Sequence, residues 1–294
     1  MEMRFDFGAY VARRKGGVSG ERGEGYAFEG DLALLRTMRK LRPLELAVGQ
    51  TVKLSKSLLA GGLLGTSVRV GPRQFPRVHR IVEDCARTLG IAMPQVFINP
   101  SIATINAFTF GTDEDAAIVI HAAMFEHLTD DEIRFVVGHE CGHVQNNHVV
   151  YLSTLKYLEQ ILSLTGGLLT PLLMPATVAL KGWSRAAEIT CDRAGLLCVR
   201  DPAVGASALA KLGVGSKRLF EELDVDVYLE QLGEARESMG RVNELAMTHP
   251  YVTKRIEALR LFGASELYRK AAGLSGGLSR DELERRTAEV IKVM

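Results

Sequence analysis

The chain has 294 residues, 47% of them hydrophobic and 24% charged, a balance of folded globular proteins and unlike that of disordered tails. At about 100 to 200 residues per domain, the length suits one large or two modest domains. Its 36 Lys and Arg nearly cancel its 35 Asp and Glu, so no net field drives it toward nucleic acid, and no nucleic-acid partner is expected.

The four cysteines, Cys85, Cys141, Cys191 and Cys198, form no CxxC pair and no disulfide-framework spacing, which fits a reducing compartment. The amino terminus has no apolar stretch followed by a small-residue cleavage site, so a cytoplasmic location is expected. Residues 1 to about 30 are rich in Gly and charge and read as a flexible arm. Asp31 then reads as the cap of a helix carrying Leu32, Leu35, Met38 and Leu41 on one side and ended by Pro43. Arg36, Arg39, Lys40 and Arg42 on its other side read as a solvated face, with contact to an anionic membrane surface as the alternative. These pieces make an amino-terminal extension of residues 1–72.

Beyond Pro72, residues 75–89 read as an amphipathic helix with Val78, Ile81, Val82 and Leu89 inward. A short strand is expected over 95–99, then two more over 103–110 and 116–121, joined as a hairpin across 111–115. The run 116–121 fits a core strand, but it also has the features of an edge strand leading toward a site, and the edge reading is carried forward. Thr129-Asp-Asp-Glu132 is a capping box, and the helix it opens is expected to run to about His148.

The stretch from Gln160 to Leu180 carries no charge and is long enough for a membrane span at about 1.5 Å per residue. Gly166, Gly167, Pro171 and Pro175 favour two broken helical pieces instead, a hairpin packed on the protein or dipping into a membrane surface. Ser279-Arg-Asp-Glu282 is a second capping box, opening a final helix with Leu283, Val290 and Ile291 on one side.

The sharpest motif is His139-Glu140-Cys141-Gly142-His143 within the first capped helix. Residues four apart share a helix face, so both imidazoles can reach one metal ion while Glu140 projects toward the same side as a general base. A catalytic zinc needs a third protein ligand and an open position. His148, five residues past His143, points away from the pair and is a poor candidate. Glu188 is the better candidate, in a helical stretch whose small residues permit close approach to another helix. Asp192, one turn later, can accept a hydrogen bond from a ligand imidazole and fix its orientation. Cys141 and Cys191 adjoin these residues; buried, inert thiols are favoured over a redox switch.

HECGH followed by Glu188-xxx-Asp192 resembles the HtpX and CAAX prenyl protease type of zinc metallopeptidase, family 48 of the metallopeptidases. The resemblance extends to Asn106-Ala-Phe108 and to Thr248-His249-Pro250 with Arg255, covering roughly residues 75 to 262. It implies one Zn(2+) per chain held by His139, His143 and Glu188, with Glu140 as base and Asp192 behind the ligands. It further implies that His249 and Arg255 assist substrate or transition-state binding and that Asn106 lies at the substrate. From the residues alone, His249 is only a helix-start residue before Pro250. Typical members carry several transmembrane helices, whereas this chain offers at most one candidate span, so a soluble or peripherally attached form is expected.

The expected fold is mainly helical α+β and zincin-like. A small sheet ends in an edge strand over the HExxH helix, with the Glu188 helix beneath. The peptidase domain would occupy 73–265, followed by a helical extension, 266–294. The expected reaction is hydrolysis of internal peptide bonds in a protein or peptide, with zinc lowering the pKa of its bound water to about 7 and Glu140 taking the proton. The backbone of the 116–121 strand, at Ile118, Val119 and Ile120, would hold the substrate as an added strand. The 160–180 segment would serve as a lid or membrane-surface contact. Two alternatives stand beside this reading: a catalytically silent zinc-binding module, and an integral membrane protease of the same family.

Overall fold

A computed structural model describes residues 25–38, 65–111, 116–236 and 247–292. It is mainly helical with one four-stranded mixed sheet, a zincin-like arrangement. The expected helix face at Arg39, Lys40, Leu41 and Arg42 and the turn at 112–115 lie outside the described residues.

The first described element is helix α1, Glu29–Met38. It begins two residues before the expected cap, so Asp31 sits inside the first turn with its side chain fully buried. The three residues before the helix also depart from a flexible arm, because Tyr26, Ala27 and Phe28 are buried. The reason is specific pairing. Arg193 Nη1 donates to Tyr26 O at 3.0 Å, Phe28 N donates to Thr190 Oγ1 at 3.1 Å, and Tyr26 OH donates to Gln145 Oε1.

Strand β1 (Val68–Arg69) precedes helix α2 (Pro76–Leu89), which buries the four residues that its periodicity selects. Strands β2 (Gln95–Asn99), β3 (Ala107–Gly111) and β4 (Ala116–His121) complete the sheet in the order β1-β2-β4-β3. β4 pairs parallel to β2 and antiparallel to β3. The expected edge strand is therefore an interior strand. Its residues are apolar on both faces, with Ile118 and Ile120 in the main core and Ala117 and Val119 against Phe97, as a strand covered on both sides requires. The edge is β3.

After the short helix α3 (Ala123–His127), helix α4 (Asp130–Gln145) opens on a formed capping box. Thr129 N donates to Glu132 Oε2 at 2.7 Å, and Glu132 N donates to Thr129 Oγ1 at 3.3 Å. α4 stops short of His148 because Asn147 takes a left-handed conformation, φ 57°. Helix α5 (Val149–Leu164) and helix α6 (Thr170–Val199) form the hairpin expected of the uncharged stretch, turning at Gly166 and Gly167, φ 56° and 83°. Pro171 falls in the first turn of α6, where its missing N–H costs little, and the helix also continues through Pro175. No helix among the described residues is long and apolar enough to cross a membrane.

The central packing is α4 against the second half of α6, and it depends on missing side chains. A Cβ on Gly142 would stand 2.8 Å from Ala194 Cβ, and one on Gly195 would stand 2.6 Å from Phe135 O. Helix α7 (Pro202–Val214), the short helix α8 (Lys217–Phe220) and helix α9 (Val225–Arg236) follow. Helix α10 (Val252–Gly263) starts two residues after Pro250, so His249 lies in the loop before it rather than at a helix start. Helices α11 (Glu266–Ala271) and α12 (Arg280–Ile291) close the chain, and α12 packs on α10. It buries Leu283, while Val290 and Ile291 are only partly covered.

Candidate metal centre

Because α4 is regular through the motif, His139 and His143 project from one face toward α6, where Glu188 meets them. His139 Nε2 lies 3.5 Å from Glu188 Oε2, and His143 Nε2 lies 3.5 Å from Oε1. Both separations are long for hydrogen bonds but suit shared coordination. Donors about 2.0 to 2.1 Å from a tetrahedral ion stand about 3.3 Å from one another. Glu188 is buried and its Oε2 makes no hydrogen bond, although Arg255 Nη1 lies 3.2 Å away. A two-nitrogen, one-carboxylate set with an unsatisfied buried oxygen fits a zinc ion.

Cys191 also lies within 4.8 Å of ligand-type atoms of both histidines. Its thiol is held protonated by burial, which raises its pKa well above the usual value, and its Sγ sits 3.6 Å from His148 Nδ1. The carboxylate that the two Nε2 atoms face is Glu188.

The Nδ1 atoms are engaged on the other side. His139 Nδ1 pairs with Asp192 Oδ1 at 2.9 Å, as the one-turn spacing from Glu188 suggests. His143 Nδ1 lies 3.2 Å from His148 Nδ1. His148 was expected to point away, and on a continued helix it would. The left-handed Asn147 instead folds it back behind His143, outside the metal side of the ring.

Arg255 ties the arrangement together. Its Nε and Nη2 donate to Asp192 Oδ2 and Oδ1 at 2.8 and 2.7 Å, a two-point clamp from α10. Burial alone would raise the carboxyl of Asp192, but Arg255 and His139 hold it below the usual range. Burial likewise opposes the charge on Glu188, and His249, Arg255 and His139 together keep it well below its ordinary value. For His139, burial favours the neutral ring but Glu188 and Asp192 outweigh it and raise the pKa, whereas for His143 burial wins and lowers it.

Glu140 faces the edge strand. Thr109 Oγ1, on β3, donates to Glu140 Oε2 at 2.5 Å. An open cleft of about 190 Å³ runs along this edge, lined by Asn106, Phe108, Leu155, Lys156 and His249 as well as His139, Glu140, His143 and Glu188. A smaller hollow shares Asn106, His139, Glu140, Glu188 and His249 with this cleft and adds Met124, Val136 and Leu212 to its wall. His249 Nε2 stands 3.5 Å from Glu188 Oε1 with its side chain 56% exposed, and Thr248 Oγ1 is 2.8 Å from its Nδ1.

The structure thus brings His139, Glu140, His143, Glu188, Asp192, His249, Arg255 and Asn106 together at one cleft. It does not bring Ile118, Val119 and Ile120 to it as substrate-binding residues. Their backbone groups pair with β2 and β3 on both sides, and no hydrogen-bonding edge is left for a substrate. Sequence reasoning missed Thr109 and Lys156, which wall the cleft; Lys156 Nζ lies 3.9 Å over the Phe108 ring. Strand alternation carries the signal for Thr109, which faces opposite to Phe108 and Phe110. Lys156 and Glu159 are the two charged residues of α5, and Lys156 was detectable only as that.

The model of peptidase family M48 matches residues 72–262. The chain is similar to the plastoglobule-localized metallopeptidase 48, chloroplastic, of Arabidopsis thaliana, 36% identical over 174 residues that cover 57% of this chain and 49% of the relative. It therefore spans about half the length of that relative. A protease HtpX homolog from Thermoanaerobacter pseudethanolicus is 24% identical over 227 residues, covering 66% of this chain and 74% of the homolog. Another from Kineococcus radiotolerans is 29% identical over 232 residues, covering 68% and 79%. No solved structure matches the chain.

Proposed function

Since the chain belongs to peptidase family M48, we propose that it is a zinc-dependent endopeptidase with residues 73–265 as its catalytic unit, His139, His143 and Glu188 as ligands and Glu140 as general base. The observation that carries this reading is the convergence of both Nε2 atoms on the Glu188 carboxylate, with Glu140 held beside them by the sheet edge. When bound, zinc supplies Lewis-acid polarisation of the scissile carbonyl and of the attacking water.

The protein's own groups do the rest. Glu140 takes the proton from the attacking water and delivers it to the leaving amine, with Thr109 fixing which carboxylate oxygen faces the substrate. Asp192 and Arg255 hold His139 in the ring orientation that keeps Nε2 toward the metal. His249, exposed on the loop before α10, is placed to donate to the developing oxyanion. The edge of β3 ahead of Gly111, whose own N–H and carbonyl bond Ser153 of α5, takes an extended peptide as an added strand, replacing β4 in that role. The hollow walled by Met124, Val136 and Leu212 suits an apolar side chain of the substrate.

The test compares casein cleavage by zinc-loaded wild type and Glu140→Gln, with bound zinc measured in both. Cleavage by wild type alone, at equal zinc and abolished by chelator, is expected. Equal zinc with cleavage by neither would favour a zinc-binding module without peptidase activity.

A second reading concerns location. At the turn of the α5–α6 hairpin, Leu164, Leu168 and Leu172 are 78%, 81% and 69% exposed, an apolar crest without ionised groups. Together with the plastoglobule location in the name of the Arabidopsis relative, this supports docking of the crest on a lipid surface. Leu168→Asp is expected to reduce co-flotation with neutral lipid vesicles; unchanged flotation would refute it.

A further inference from the structure

Behind the metal set runs a line of buried groups that the peptide-bond chemistry leaves unused. His143 turns Nε2 to Glu188, while its Nδ1 lies 3.2 Å from His148 Nδ1. His148 Nε2 lies 3.1 Å from Asp31 Oδ2, at an angle off the line of a formed hydrogen bond. Asp31, on α1, accepts from Trp183 Nε1 at 2.8 Å and from Thr190 Oγ1 at 2.7 Å. The His148 and Asp31 side chains are 1% and 0% exposed, so water does not substitute for these partners.

Only one placement of hydrogens satisfies the line. With Nε2 of His143 given to a metal, its Nδ1 carries the hydrogen. His148 Nδ1 must then accept, and Cys191 Sγ lies 3.6 Å from the same nitrogen. That leaves the hydrogen on His148 Nε2, 3.1 Å from a carboxylate whose two oxygens are already fixed as acceptors by Trp183 and Thr190. Each group can play its part only if the next one does.

We propose that Asp31 is a positioning residue for the metal centre, setting His148 as an acceptor toward His143 and thereby holding the His143 Nε2 toward zinc. This rests on His143 being a ligand, as argued above. It makes α1, which precedes the stretch of 72–262 matched by the family model, a working part of the site rather than an appended arm.

Asp31→Asn tests this on the full chain. The variant keeps the side-chain size but places an amide donor against the His148 Nε2 hydrogen. Relief requires that hydrogen to move to Nδ1, where it opposes the Nδ1 hydrogen of His143. The zinc dissociation constant, measured by competition with a chromophoric chelator, is expected to rise about 10- to 100-fold. In a His148→Phe background the same substitution is expected to change nothing further.

Wild-type affinity in Asp31→Asn, or an equal loss in the His148→Phe background, overturns the proposal. His143→Gln separates the two readings. If it binds zinc as wild type does, the ligand assignment fails; if it loses zinc while Asp31→Asn keeps it, only the relay fails. Should Asp31→Asn not fold, ring-nitrogen NMR of the wild-type protein decides. Hydrogen on Nε2 of His148 and on Nδ1 of His143 in the zinc-loaded form is expected, and the opposite tautomer of His148 overturns the proposal.

Discussion

Replacing Arg255 with Met removes a buried cation that touches two buried carboxylates, at 2.7 and 2.8 Å for Asp192 and 3.2 Å for Glu188. Methionine keeps most of the aliphatic stem, so the change is chiefly one of charge. Breaking a buried pair by deleting one partner costs about 3 to 5 kcal/mol, because the remaining charge is left in a medium that solvates it poorly. At about 2 to 4 °C per kcal/mol for domains of 150 to 250 residues, the metal-free variant is expected to melt about 6 to 20 °C lower.

The loss has a pH signature. Asp192 and Glu188 are held below their ordinary pKa with Arg255 among the causes, so their stabilisation is full above the unfolded carboxylate value. It disappears as pH falls through the lower folded values. The gap between wild type and variant is therefore widest near neutrality and closes below about pH 4. Denaturant unfolding in chelator across that range measures it. A loss below about 1 kcal/mol at neutral pH, or a gap that does not change with pH, refutes the assignment of Arg255 as the compensating charge.

Thr109→Val keeps the strand shape but removes the hydrogen bond to Glu140. It is expected to lower kcat about tenfold with zinc content unchanged, and an unaltered kcat would show that Glu140 needs no support from the sheet. Gly195→Ala places a methyl 2.6 Å from Phe135 O, and a loss of about 1 to 3 kcal/mol in urea unfolding is expected as α4 and α6 separate. Neutral behaviour would mean that the interface is looser than the geometry indicates.

Glu132→Gln probes the cap of α4, where Lys211 Nζ lies 2.8 and 2.9 Å from the carboxylate oxygens and Ser207 Oγ donates at 2.6 Å. Burial pushes the carboxyl up, but Lys211, Ser207 and the Thr129 backbone outweigh it and lower its pKa. Its stabilisation is thus present above the unfolded value and lost as pH falls through the folded one. The variant is expected to lose about 3 kcal/mol near neutrality and less at about pH 3; a constant loss would argue against the ion pair.

The amino-acid sequence by itself determined the parts of this protein that depend on neighbours along the chain. Helical spacing placed His139, Glu140 and His143 on one face, and Thr129 with Glu132 announced the start of α4, because both follow from backbone geometry over a few residues. The four-residue step from Glu188 to Asp192 put two carboxylates on one helix face in the same way, and both reach His139, one at each ring nitrogen.

Tertiary structure decided which strand is the edge. An apolar run such as 116–121 fits an interior strand, and only pairing with both β2 and β3 distinguished the two. It also decided where His148 points, since one left-handed residue, Asn147, redirected the chain. Tyr26 to Met38 show the same limit from the other end of the chain. Composition suggests solvation for the residues before the helix, yet Arg193, Thr190 and Gln145 supply their backbone and hydroxyl groups with partners. Asp31 reaches His148 by the same route. These contacts join residues far apart in sequence, and their free energy exists only once α6 has brought the partners together.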